Sequence, residues 1–223
     1  MTTILRLKRS RVTFRALEPA CEILLAGGVV SAPTESFYGL MALADRERAL
    51  ERLHALKGGR GKDHAFLLLV DCYDRVKAYA QEIPPEAERL METFWPGLLT
   101  ILFKAQSGLH PAILGGKKNT VGLRLDSAPV SPALVRMADR AVTGTSANPS
   151  GRPPATDAAT VIGYFGDGVD YVIDCGSTRG GLPSTVVDIS KTPFSIQREG
   201  AVLSADLDKV LSPARVLRPS DAS

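Results

Sequence analysis

Cysteine, histidine and aromatic side chains are scarce in this chain, and so are runs of any one charge. The three cysteines, Cys21, Cys72 and Cys175, are far apart and odd in number, which argues against a disulfide framework and a CxxC metal or redox site. That usage fits a reducing cytosol. The three histidines, His54, His64 and His110, are isolated from one another and give no HExxH or related spacing, so a metalloenzyme site of that kind is not indicated. There is no Walker A sequence, no GxGxxG after a strand and no hydrolase elbow. No apolar run approaches membrane length, and the N-terminus lacks the apolar core and cleavage site of a secretion signal. The expectation is a soluble cytoplasmic protein that does not enter a membrane. A net charge of +3 is too small to announce a nucleic-acid binder by itself.

What is present is the composition of a globular protein, and 223 residues suffice for one substantial core. The charge is uneven: Arg6, Lys8, Arg9, Arg11 and Arg15 all precede the first acidic residue, Glu18. This basic start reads either as a solvated arm or as a contact for a phosphate-rich partner.

Apolar residues at Leu17, Ala20, Cys21, Leu24 and Leu25 have the spacing of one helical face, stopped by Gly27-Gly28. Val29 to Ala32 reads as a buried strand running into a hydroxyl-rich loop, Pro33 to Leu40. Asp45 to Leu56 is a helix with Asp45 as its cap. A wholly apolar strand spans Ala65 to Val70, helices span Asp71 to Ala80 and Pro84 to Phe94, and a further strand spans Leu98 to Lys104. Thr120 to Leu125 is a strand carrying Arg124, Ser131 to Asp139 a helix, and Ala141 onward a short strand ending at Ser146-Ala147-Asn148. A helix over Thr156 to Phe165 and strands over Tyr171 to Asp174, Thr185 to Ile189 and Phe194 to Gln197 follow. This alternation argues for an α/β fold with a mixed, mostly buried sheet.

Two stretches allow two readings each. Gly58-Gly59-Arg60-Gly61 is either a phosphate-binding loop or a flexible surface connection. Ser146-Ala147-Asn148-Pro149-Ser150-Gly151 is either a plain turn after a strand or a strand end offering neutral hydrogen bonds to a ligand. The wider pattern favours the ligand. Cationic and hydroxyl residues recur at strand ends: Thr34 and Tyr38, Lys57 and Arg60, Thr120 and Arg124, Ser146 and Asn148, Ser184 and Thr185, and Arg198. Together they suggest a cleft rich in positive donors and poor in carboxylates, suited to a polyanion such as a nucleoside triphosphate.

These residues carry a resemblance. Pro33-Thr34-Glu35-Ser36-Phe37-Tyr38-Gly39-Leu40 resembles the Pro-Thr-x-Thr/Ser-x-Tyr-Gly-Leu signature of the YrdC-like family, the threonylcarbamoyl-AMP synthases. Trp95-Pro96-Gly97-Leu98-Leu99-Thr100 is similar to its Trp-Pro-Gly-x-x-Thr, and Thr120 to Arg124 to its Thr-x-x-x-Arg strand. Ser146 to Gly151 matches Ser-Ala-Asn-x-Ser-Gly, Ser184 to Asp188 matches Ser-Thr-Val-Val-Asp, and Arg198-Glu199-Gly200 matches Arg-x-Gly. The matches keep the family's order over roughly residues 15 to 205.

The resemblance implies one open, twisted mixed sheet with flanking helices and a concave basic cleft, in a domain over residues 15–205 between an arm at 1–14 and a tail at 206–223. It implies a nucleotidyltransferase that makes threonylcarbamoyl-AMP and pyrophosphate from L-threonine, bicarbonate and ATP with Mg²⁺. The product would then modify tRNA through threonylcarbamoyl-transfer proteins. The alternative is a sister protein that binds tRNA or double-stranded RNA without synthase activity.

Carried over residue by residue, the resemblance places Thr34, Tyr38, Arg60, His64 and Ser184 at threonine. It places Lys57, Thr120, Arg124, Ser146, Asn148, Thr156 and Arg198 around the nucleotide and its phosphates. No protein nucleophile and no protein-held metal are expected. One departure is visible. Lys57-Gly58-Gly59-Arg60 is one residue longer than the family's Lys-x-Arg, which changes where Lys57 points. His64-Ala65-Phe66 is closer to a sister branch. The chain also ends near residue 223, without the C-terminal domain of longer family members.

Overall fold

A computed structural model describes residues 1–59, 65–114, 119–211 and 216–217. In chain order these form β1 (Thr3–Arg6), α1 (Phe14–Leu25), β2 (Val30–Pro33), β3 (Tyr38–Met41), α2 (Glu47–Leu56), β4 (Leu68–Val70) and α3 (Tyr73–Val76). α4 (Pro85–Phe94), β5 (Leu99–Lys104), β6 (Thr120–Leu125), α5 (Val130–Ala138), β7 (Val142–Thr143), β8 (Thr145–Ser146) and α6 (Ala158–Phe165) follow. β9 (Tyr171–Asp174), β10 (Thr185–Asp188), β11 (Phe194–Arg198), α7 (Ser204–Val210) and β12 (Val216–Leu217) complete the chain.

The mixed α/β class holds, but the expected single sheet is two. A five-stranded sheet has the order β1-β9-β2-β3-β8, and a seven-stranded sheet the order β12-β11-β10-β5-β6-β4-β7. The chain passes from one to the other at Gly144, where β7 pairs with β4 in the larger sheet and β8 with β3 in the smaller. A Cβ on Gly144 would lie 2.6 Å from Leu67 Cδ1 and 2.8 Å from Leu69 Cγ, so the crossing needs a residue without a side chain. Thr143 stitches the two sheets: its N–H donates to Ala42 O at 2.8 Å, and its hydroxyl accepts from Ala42 N at 3.0 Å.

Local rules account for most elements. Thr13 caps α1, its Oγ1 accepting from Ala16 N at 3.3 Å, and the buried stripe is Leu17, Ala20, Cys21 and Leu24. Pro19 sits inside α1, which begins at Phe14. Asp45 does not cap α2; no side chain does, and Asp45 instead pairs with Arg140 at 2.9 Å. Residues 33–40 are not all loop. Thr34 closes a tight turn, donating from its N–H to Phe37 O at 2.9 Å, and Tyr38 to Met41 then runs back along β2 as β3.

The first residues carry a strand: Thr3–Arg6 lies parallel to β9 at the edge of the smaller sheet. One apolar cluster joins the inner face of the larger sheet to α2, α4 and α6, with Leu50, Leu53, Leu90, Ile101 and Leu123 at its centre. A second, around Leu17, Leu24, Leu134 and Val135, joins α1 and α5 to the smaller sheet.

Candidate active site

Strand alternation divides the larger sheet into a core face and an open face. Leu99, Ile101, Leu123, Leu68 and Val187 point into the core. Their neighbours form the floor of a cleft of about 470 Å³. The register aligns Val186, Thr100, Arg124 and Leu69 in one row across β10, β5, β6 and β4. Beside it, Leu102 faces Gly122 across β5 and β6. A Cβ on Gly122 would lie 3.0 Å from Leu102 Cδ2, so glycine leaves a dip in the floor. The turn at Thr34, Ser36 and Phe37 forms one wall, and Gly144 to Ser146 with Phe66 another.

Three clusters of motif residues rim this floor, and each is tied together internally. In the first, Ser184 Oγ lies 2.9 Å from Thr100 Oγ1. Arg198 donates from Nη2 to Ser184 O at 2.8 Å and to Ser184 Oγ at 3.2 Å. Gly200 holds this corner: its N–H donates to Thr185 Oγ1 at 2.9 Å, and a Cβ there would overlap Pro183 O. Arg198 makes no ion pair among the described residues. Desolvation of its head group, then the neighbouring Arg124 charge, lower its pKa from the ordinary arginine value. Two guanidinium groups thus share one rim, an arrangement that an anion between them relieves.

In the second cluster, Arg124 donates from Nε to Gly97 O at 2.8 Å and from Nη2 to Asp126 Oδ1 at 2.8 Å and Glu35 Oε2 at 3.5 Å. The Trp-Pro-Gly turn and the Thr34 turn therefore meet on one side chain. In the third, Lys57, only 3% exposed, donates to Ser146 O at 2.8 Å, to Asn148 O at 2.6 Å and to Asn148 Oδ1 at 3.0 Å. Ser146 Oγ donates to the same Oδ1 at 2.6 Å.

Of the residues singled out in the sequence, Thr34, Tyr38, Arg124, Ser146, Ser184 and Arg198 line the cleft. Tyr38 does so with its hydroxyl turned away, donating to Gly176 O at 2.8 Å, and burial pushes its pKa up. Lys57 and Asn148 stand behind Ser146 rather than on the lining. Thr120 opens β6 opposite Lys104 and is buried outside the cleft. Thr156, also off the lining, accepts with its carbonyl from Thr178 N at 2.7 Å. Arg60 and His64 lie outside the described residues, as does Gly61 of the Gly58 to Gly61 loop. Sequence reasoning missed Thr100, although it closes the Trp-Pro-Gly-x-x-Thr pattern. It also missed Asp126, whose signal was an acid two places after Arg124.

Among the described residues, no cluster of three or more His, Cys, Asp or Glu could hold a metal, and no helix is long and apolar enough to cross a membrane.

These features define a mixed α/β protein whose motif loops converge on one open sheet face. The family model Sua5_yciO_yrdC, described as telomere recombination, matches residues 22–200. The threonylcarbamoyl-AMP synthase of Pyrococcus abyssi (strain GE5 / Orsay) is 33% identical over 216 residues, 97% of this chain and 63% of that protein. The threonylcarbamoyl-AMP synthase of Nitrosococcus oceani is 32% identical over 169 residues, 76% of this chain and 90% of that protein. The crystal structure of P. abyssi Sua5 complexed with L-threonine matches with a TM-score of 0.88 at 31% identity, over 97% of this chain and 62% of that one. The chain belongs to the Sua5/YciO/YrdC family. It spans under two thirds of the length of its Pyrococcus relative.

Proposed function

We propose that this chain synthesises threonylcarbamoyl-AMP from L-threonine, bicarbonate and ATP. The observation that carries the reading is the Arg198–Ser184–Thr100 corner, a cation without an ion pair among the described residues, beside Arg124 on an open floor of mixed polar and apolar side chains. Such a corner suits a phosphate group, and the floor suits the apolar parts of threonine and the nucleoside. The names of the relatives point the same way, and the L-threonine complex of the Pyrococcus protein supports threonine as the amino acid.

The chemistry needs alignment and charge neutralisation, neither of which requires a protein nucleophile. The threonine amine adds to the carbon of bicarbonate or CO₂ to give a carbamate. A carbamate oxygen then attacks the α-phosphorus, and the bond to pyrophosphate breaks. Starting from bicarbonate, one water is released. In this reading Arg198 and Arg124 neutralise charge that develops on the phosphates, and the Ser184–Thr100 pair, in which one hydroxyl donates to the other, has one O–H left for the same oxygens. Thr34, whose hydroxyl donates to Phe37 O at 2.8 Å, offers the oxygen of that hydroxyl as an acceptor from the facing wall. The Ser146 wall, fixed from behind by Lys57 and Asn148, bounds the nucleotide, while Arg60 and His64 attend threonine. Mg²⁺ arrives with ATP as part of that substrate, held by phosphate oxygens and water. The adduct serves tRNA modification in the cytoplasm through transfer proteins, and the working domain takes in β1 at the edge of the smaller sheet and β12 at the edge of the larger one, beyond the expected residues 15–205.

The test is incubation of the full chain with ATP, L-threonine and bicarbonate, following pyrophosphate and a threonine-dependent AMP adduct. Both products are expected, and neither should form when threonine or bicarbonate is omitted. ATP binding without either product would sink the synthase reading in favour of a binding protein.

A further inference from the structure

Asp126 lies just past the end of β6 and is 1% exposed. Its Oδ1 accepts from Arg124 Nη2 at 2.8 Å and from the backbone N–H of Glu35 at 3.2 Å. Its Oδ2 accepts from Ser131 Oγ at 2.7 Å. One carboxylate thus joins the strand that carries Arg124, the turn that carries Thr34, and the first turn of α5.

Burial pushes the Asp126 carboxyl up, while Arg124, Ser131 and the Glu35 and Ala128 amides pull it down. A buried acid costs stability unless it is fully hydrogen-bonded, and this one is held from both oxygens. It does not line the cleft. Whatever it contributes to chemistry passes through the groups it holds.

The geometry of Arg124 says which group matters. With Nε on Gly97 O and Nη2 between Asp126 and Glu35, only Nη1 makes no hydrogen bond among the described residues. A long, rotamer-rich side chain is locked with a single nitrogen left for the cleft, so its loss of freedom precedes ligand binding.

We infer that Asp126 is a positioning residue for the proposed reaction: by gripping Arg124 and the Glu35 amide together, it sets the phosphate-side guanidinium and the Thr34 wall in one fixed relation. The catalytic part of this inference rests on the synthase reading, whereas the grip itself does not. The 34–37 turn and the end of β6 come from opposite sheets, so a shared carboxylate is the direct route by which one wall keeps register with the other. A misplacement of about 1 Å between reacting groups lowers rate by about 10²-fold.

The experiment uses the full chain and two readouts. The first is solvent exchange of the Arg124 Nη2 hydrogens by NMR, their signal assigned from loss in Arg124→Lys; Nη2 is the nitrogen that Asp126 holds, whereas Nε rests on Gly97 O. Slow exchange is expected in the unmodified protein and fast exchange in Asp126→Asn. The second is a double-mutant cycle on product formation. Asp126→Asn and Arg124→Lys are each expected to lower kcat/KM by about 10²-fold, and the double variant is expected to be no worse than Arg124→Lys alone.

Losses that multiply would assign Asp126 a general structural role and overturn the inference, as would Arg124 Nη2 hydrogens equally protected in Asp126→Asn. Should Asp126→Asn fail to fold, Ser131→Ala removes only the bond to Oδ2; faster exchange of the Arg124 Nη2 hydrogens supports the grip, and unchanged exchange overturns it. If the unmodified protein makes no product, the exchange readout still decides the grip, so failure of the synthase reading is told apart from failure of this one.

Discussion

The Lys57 ammonium lies 2.6 Å from the backbone oxygen of Asn148 and 3.0 Å from its Oδ1. An amine expected at the nucleotide is thus engaged by the backbone of the loop that forms the cleft wall. Replacing it leaves buried acceptors without their charged donor. Lys57→Met is expected to lose about 1–3 kcal/mol of stability by urea unfolding and to lower turnover. Unchanged stability with a raised KM for ATP alone would restore a direct ligand role.

Tyr38 gives the opposite test. Its hydroxyl donates to Gly176 O and points away from the cleft. Tyr38→Phe should lower stability by about 1 kcal/mol while leaving KM for threonine unchanged. A severalfold rise in that KM, at unchanged stability, would return the hydroxyl to the threonine site.

Arg198 makes no ion pair among the described residues, and its guanidinium is held by Ser184 O and Oγ. Arg198→Ala is expected to leave the protein folded, with at most the loss of its bonds to Ser184, and to lower kcat by about 10²–10³-fold, the usual cost of removing one donor to developing charge. Arg198→Lys should recover little of this, because a point charge does not reproduce the two-pronged hold on Ser184. Full turnover in Arg198→Ala would remove the corner from the mechanism.

The cysteines predict a pH dependence. Burial pushes the Cys21 and Cys175 thiols above the ordinary value of 9.0, whereas Cys72 is exposed. A thiol reagent at neutral pH should therefore modify one group quickly, and Cys72→Ser should abolish that phase. The raised values also mean that the folded state holds these two protons more tightly than the unfolded chain. Their contribution is complete below the ordinary thiol range and is lost as pH rises through the raised values. Tm should fall on that alkaline limb, and less steeply in Cys21→Ala; an identical slope in Cys21→Ala would contradict the assignment.

Much of the architecture is legible in the residues themselves. Thr120 to Leu125 and Tyr171 to Asp174 are strands with the expected ends, because alternating apolar residues between polar turns have few other solutions. The stripe of α1 needs no partner to be recognised. β1 and α7 were missed: a basic strand of four residues and a helix of seven carry too little periodicity to stand out. The order of the motifs identified which segments meet, and six of the twelve chosen site residues line the cleft.

What the amino-acid sequence determined by itself is therefore the α/β class, most elements, and the set of segments that carry chemistry, since each depends on neighbours a few places away. What only the tertiary structure decided is direction. Tyr38 and Lys57 look like site residues in the chain, yet their polar atoms meet Gly176 and Asn148, 138 and 91 positions distant. The break into two sheets follows from the approach of Leu67 and Leu69 to Gly144, and the grip of Asp126 from the arrival of the Glu35 amide 91 residues away. Strand pairing and close packing between remote segments set these, and no local pattern encodes which remote atom a side chain will find.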